Sequence, residues 1–178
     1  MMRVFPLAAA LAAVAAPALA QDRRPIALAP DEAITIRLDE NGATLAREEA
    51  GRAEWRSHDV AVARHMSGLT PPKAPVQASA MPDDPSVPPE DPVQPGRLRL
   101  RFLSIAGQHM MLVLENGYDR GIVYRARMTR DGNQTATDVC LVMPMRYSYE
   151  HWPHTIERIE LSDIRFVPWR EGDPNPCA

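Results

Sequence analysis

Residues 97–102 read Arg-Leu-Arg-Leu-Arg-Phe, a strict alternation that places Leu98, Leu100 and Phe102 on one side of an extended chain and Arg97, Arg99 and Arg101 on the other. A helix would scatter those apolar residues around its axis, so the segment is a strand with one dry face. The same two-residue period recurs downstream. Residues 110–115 lead into the turn pair Asn116-Gly117. Residues 122–129 then set Tyr124, Ala126 and Met128 against Val123, Arg125 and Arg127, and Asp131-Gly132-Asn133 makes another turn. Residues 137–143, 157–161 and 164–167 complete the series, the last two parted at Ser162-Asp163 by a bulge or a bend. Short strands at this spacing, with no long helical period between them, predict an all-β fold over residues 97–178: an antiparallel immunoglobulin-like sandwich, or a small barrel.

Upstream, residues 67–96 hold nine prolines. Proline lacks an amide donor and keeps its predecessor extended, so this stretch completes neither a helix nor an interior strand and is expected to be a linker. Docking of a polyproline helix into an aromatic groove is the functional alternative to a plain spacer, but no repeated motif supports it. Residues 33–38 alternate and Asn41-Gly42 favours a tight turn, which predicts a β-hairpin with a second strand over residues 43–47. A short helix competes there, because residues 45–56 are good helix formers. Residues 59–65, with Val60 and Val62 on one side, predict one further strand. The segment 21–66 is therefore an N-terminal hairpin unit, packed on the sandwich or standing beside it as a satellite.

The chain opens with Arg3, a short apolar run, Pro17 and Ala18-Leu19-Ala20, the three-part pattern of a cleavable signal peptide over residues 1–20. The run is too short, and too interrupted by Pro6 and Pro17, for a membrane span, so the mature protein is expected to carry none and to be periplasmic or secreted. In such a compartment Cys140 and Cys177, the only two cysteines, read as a disulfide that ties down the C-terminus. The formal charge of −3 becomes −4 when Arg3 is removed, which argues against a nucleic-acid partner.

Leu114 to Asp119, Val123-Tyr124-Arg125-Ala126, Thr137-Asp138-Val139-Cys140 and Glu150-His151-Trp152-Pro153 together resemble a pattern found in exported bacterial proteins of unassigned function. The resemblance covers the C-terminal half and implies export, with no activity attached.

Three constellations carry candidate chemistry. Residues 97–130 hold seven Arg against Glu115 and Asp119, a net +5 within an acidic protein. If the first and third strands of this region are neighbours, Arg97, Arg99, Arg101, Arg125 and Arg127 share one face suited to a protein partner or an anionic glycan. The competing reading is cross-strand neutralisation by the eight acidic residues that follow Arg130. Tyr118, Tyr147, Tyr149 and Trp152 fall partly in expected loops, where aromatic side chains form binding surfaces, although such residues more often fill cores. Glu150, His151 and His154, completed by His109 or His65, offer imidazole and carboxylate ligands for a metal. Pro153 bars a regular helix through that stretch, and a rigid loop with Trp152 plugging the sandwich is the structural alternative.

Catalysis finds little footing. The chain has no Gly-x-Ser-x-Gly elbow and no phosphate-cradling loop, and Ser148 with His151 and Asp138 is a triple of the sort that arises by chance. No cofactor is implied. Asn133-Gln134-Thr135 matches a glycosylation acceptor. The expected function is thus non-catalytic binding or a structural role, with metal binding through His151 and His154, or an enzyme of unrecognised type, as alternatives.

Overall fold

The computed structural model describes residues 24–72, 85, 87, 89–174 and 176; the expected signal peptide over residues 1–20 and Cys177 lie outside them. The elements run β1 (Ile26–Leu28), β2 (Glu32–Leu38), β3 (Thr44–Arg52), α1 (Ser57–Ser67), β4 (Leu98–Ile105), β5 (His109–Asn116), β6 (Gly121–Arg130), β7 (Asn133–Thr137), β8 (Leu141–Val142), β9 (Arg146–Trp152) and β10 (Arg158–Val167). They form two five-stranded sheets. The front sheet has the order β3-β2-β4-β5-β9, and the back sheet the order β1-β10-β6-β7 with β8 also on β6. Every pairing is antiparallel, and the sheets stay separate, so the fold is an all-β sandwich rather than a barrel.

The alternation in β4 does what its pleat requires. Leu98, Leu100 and Phe102 face the back sheet, joined by Ile34 and Ile36 of β2 and Leu112 and Leu114 of β5. Ile26, Ile122, Ala126, Ile159 and Leu161 meet them from the back sheet. Each large side chain fully removed from water stabilises the fold by about 1.5–3 kcal/mol, so this layer dominates the energetics.

The N-terminal segment belongs to that same interior. β2 sits between β3 and β4, with Ile34 opposite Leu100 and Ile36 opposite Leu98, and β1 pairs with β10 in the other sheet. The sandwich therefore includes residues on both sides of the prolines. At the hairpin turn Gly42 has φ of 84°, and a Cβ there would stand 2.6 Å from the Cα of Arg165, so only glycine lets the hairpin approach β10 so closely.

Residues 59–65, expected as a strand, are part of helix α1. The Asp59 carboxylate accepts the Arg56 amide at 3.0 Å at its start, and Gly68, at φ 71°, closes its end by donating to the Arg64 carbonyl at 2.8 Å. Val60, Ala61, Val62 and Ala63 are all buried, and a short continuous apolar run of this kind carries no period. Of residues 137–143, expected as one strand, only Thr137, at the end of β7, and Leu141–Val142, which form β8, are extended in the sheet, with Cys140 between the two. The last two expected strands are one, β10, whose register shifts between Ser162 and Arg165, with Asp163 at φ 52° in the bulge.

α1 covers the outer face of the front sheet. Val62 and Ala63 pack on Leu103, Ile105, Met111 and Val113, with Val93 from the end of the Pro-rich stretch beside them. Among the described residues, no helix is long and apolar enough to cross a membrane.

Candidate functional site

Beneath α1, the face of β4 opposite the core presents Arg101, which is 1% exposed. An unpaired guanidinium there would be prohibitively costly, and three neighbours prevent it. Its terminal nitrogens donate to both carboxylate oxygens of Asp59, with Nη2–Oδ1 at 3.0 Å, and its Nε donates to Glu115 Oε1 at 2.9 Å. The Glu54 carbonyl accepts a further bond from Nη1 at 3.1 Å. Burial lowers the Arg101 pKa, but hydrogen bonds and charges from Asp59 and Glu115 outweigh it and hold the group above its ordinary value.

Arg56, just before α1, extends the network. Its Nη1 donates to Tyr147 Oη at 2.7 Å and lies 3.2 Å from Glu115 Oε1, while its Nε is 3.3 Å from Asp91 Oδ2. Tyr147 and Tyr149 come off β9 on this same face, their rings stacked at 6.3 Å and 15°. Tyr149 donates to Glu90 Oε1 at 3.0 Å, and His58 Nε2 lies 3.6 Å from that oxygen. Burial, then the Glu115 charge, push the Tyr147 phenol up to about 12, with Arg56 opposing; burial, then the charges of Asp59 and Glu90, push Tyr149 higher still. Both phenols therefore serve as neutral donors. Arg56, His58, Asp59, Pro89, Glu90, Asp91, Tyr147 and Tyr149 line a cleft of ≈ 250 Å³ above this floor. Two guanidinium groups here meet four carboxylates, so the cleft is acidic.

The five-arginine face is not formed, because β4 and β6 lie in different sheets. Arg97 pairs with Glu48 at 2.9 Å, Arg99 sits opposite Glu115, and Arg101 is buried. Arg125 and Arg127 are exposed on the outer side of the back sheet, where Arg125 stands 3.6 Å from Asp163 and Arg127 opposite Glu160. Alternation fixes which face a residue takes within its strand, but not which strands become neighbours.

The aromatic set divides too. Tyr147 and Tyr149 meet, whereas the Tyr118 hydroxyl accepts the Leu38 amide at 2.8 Å and its ring packs edge-on to Phe166 at 4.9 Å. Trp152 is in the core against Phe102, its indole donating to Thr137 Oγ1 at 3.0 Å across the open side of the sandwich.

Glu150, His151 and His154 do not converge either. Glu150 pairs with Leu112 on the core side of β9 and His151 with Met111 on the opposite side, which also separates Ser148 from His151. Burial, then Asp138, raise Glu150 to about 7. His65 is exposed in the last turn of α1. His109 does reach His151, with Nδ1 and Nε2 3.0 Å apart. Among the described residues, no group of three His, Cys, Asp or Glu side chains is placed to hold a metal ion.

Sequence reasoning missed Arg56, His58, Asp59, Glu90, Asp91 and Glu115. Asp59 carried the one available signal, a carboxylate in the first turn ahead of a buried run and a closing glycine. Comparisons with family models, with curated proteins and with solved structures find no match for this chain.

Proposed function

We propose that this chain is a non-catalytic, exported binding protein whose recognition site is the cleft over Tyr147 and Tyr149, and whose ligand is a basic segment of a partner protein. The observation that carries the reading is the excess of carboxylate over guanidinium around a stacked pair of neutral phenols. Glu90 and Asp91 keep 37% and 65% of their side chains exposed at the rim, where a lysine or arginine can reach them while its stem lies along the rings.

What supports a non-catalytic reading of this cleft is how its polar groups are spent. Arg101, Asp59 and Glu115 satisfy one another, and the phenols are held protonated far above neutrality, so none is poised as base or nucleophile. Export rests on the leader pattern of residues 1–20, and a bridge from Cys140 to Cys177 suits the same compartment. An anionic glycan is the weaker fit, since Arg125 and Arg127 face Asp163 and Glu160.

The test is a chemical-shift titration of the mature protein with an arginine-rich octapeptide and, separately, with a heparin oligosaccharide. The peptide is expected to move resonances of Tyr147, Tyr149 and α1, and Glu90→Gln with Asp91→Asn should weaken it about fivefold, the effect of two rim charges. No peptide shifts at millimolar concentration, or heparin shifts centred on Arg125 and Arg127, would overturn the reading.

A further inference from the structure

The strand that carries Tyr147 and Tyr149 is the last of the front sheet: β9 pairs with β5 on one side and, among the described residues, with no strand on the other. Half of its backbone N–H and C=O groups therefore point away from β5 toward that open edge. The opposite edge of the sheet is guarded, because β3 pairs with β2 through two register shifts and carries Arg47, Glu48 and Arg52. Bulges and charges of that kind discourage a further strand. β9 instead keeps one unbroken register over seven residues, with no proline or lysine.

Both faces of a strand added there would meet acid. Its outward side chains continue the row of Tyr147 and Tyr149, toward Glu90 and Asp91. Its inward side chains continue the row of Ser148 and Glu150, which stand opposite Leu114 and Leu112 on the core side. There the Asp138 charge acts on Glu150, and Tyr124, 6% exposed, holds a hydroxyl with no hydrogen-bond partner among the described residues. Tyr124 lies where β6 is paired by neither β7 nor β8, so no strand covers that side of β6 at its level. Arg146, at the start of β9, is met by Glu171 at 3.4 Å.

We propose that the basic segment bound by the cleft docks as an added strand along the open edge of β9, with alternate Lys or Arg side chains reaching Glu90 and Asp91 on one face and Glu150 and Asp138 on the other. This rests on the cleft reading and adds to it the backbone pairing that orients the ligand. Residues 73–84 of this chain are the weaker occupant, since they set Lys73 against Asp83 and Asp84 and include Pro75 and Pro82.

The probe is the arginine-rich octapeptide, which when extended spans about the length of β9. Two analogues, N-methylated at alternate amides in opposite registers, keep its charge while one of them loses the pairing donors. Added to the wild-type mature chain, the parent peptide should slow hydrogen exchange at the β9 amides that point away from β5. One analogue should bind about tenfold or more weakly and the other within about threefold of the parent. Glu150→Gln with Asp138→Asn should weaken the parent peptide about fivefold at pH 8, where Glu150 is ionised, and unchanged affinity counts against the inward contacts. Shifts at Tyr147 and Tyr149 without slowed β9 amides, or analogues bound alike, overturn the added strand and leave the cleft reading intact, whereas no shifts at all overturn both. Outward β9 amides already protected in the free chain would show that the chain covers its own edge, which also rejects the proposal.

Discussion

Arg101 of β4 offers both terminal guanidinium nitrogens to the two carboxylate oxygens of Asp59 in α1, and both side chains are buried. One residue precedes the Pro-rich stretch and the other follows it, so this pair fastens the two halves of the chain over the outer face of the front sheet. The same Asp59 carboxylate accepts the Arg56 amide, which starts the helix and positions Arg56 over Tyr147. Helix capping, sheet packing and the charge of the cleft thus share one carboxylate.

Asp59→Ala leaves Arg101 buried with Glu115 as its remaining ionic partner, and is expected to cost about 3–5 kcal/mol in urea unfolding. Asp59→Leu with Arg101→Met removes both charges and should cost less than the two single changes added together. Additive losses would show that the pair contributes no coupling.

A Cβ at Gly117 would overlap the Gln94 carbonyl oxygen, where the end of the Pro-rich stretch crosses the β5–β6 turn. Gly117 also accepts the Gly96 amide and donates to the Arg97 carbonyl, each at 2.8 Å. Gly117→Ala should destabilise by about 2–3 kcal/mol, because backbone rather than a flexible side chain must move. Gly51→Ala, with nothing within 4 Å, is the control and should stay within about 0.5–1 kcal/mol of the parent.

Glu150 gives a pH signature. Its pKa rises from 4.5 unfolded to about 7 folded, first through burial and then through Asp138. The folded state therefore binds more protons than the unfolded chain between those values, and stability falls as pH rises through that window. Glu150→Gln should flatten the dependence and stabilise the protein at pH 7.5 by about 1 kcal/mol, the full shift being discounted for partial exposure. Chemical denaturation at pH 5 and pH 7.5, in the presence of a chelator, checks this; an unchanged slope contradicts it.

Cys140 and Cys177 are proposed to be bridged. Intact mass after alkylation should show no adduct without reduction and two after it, and Cys140→Ser should cost about 3–4 kcal/mol on the chain-entropy account. Two adducts on the unreduced protein would dismiss the bridge.

Strands whose polar and apolar side chains alternate were legible in the sequence: β4 from its Arg-Leu repeat, although its outer face is covered by α1, and the β2–β3 hairpin from residues 33–38 and Asn41-Gly42. α1 was not, because Val60 and Val62 mimic a strand period when every residue between them is also buried. β9 was missed because its alternation is inverted: Ser148 and Glu150 lie on the side of the strand that faces the core, opposite Leu114 and Leu112, while Tyr147, Tyr149 and His151 lie on the outer side. The candidate site was legible only in fragments. Arg101, Tyr147 and Tyr149 stood out individually, but their partners Arg56 and Asp59 precede the Pro-rich stretch and Glu90 lies within it, and the pairing of β2 with β4 is what joins the two halves of the chain there.

The cleft exists only if residues on both sides of the prolines form one cooperative sandwich, and native-state hydrogen exchange at rising urea measures that directly. The amides that join β2 to β4 should exchange only through global opening, with the same free energy as those joining β4 to β5. A separate, lower opening energy for β2, β3 and α1, with β4 and β5 still protected, would contradict the account.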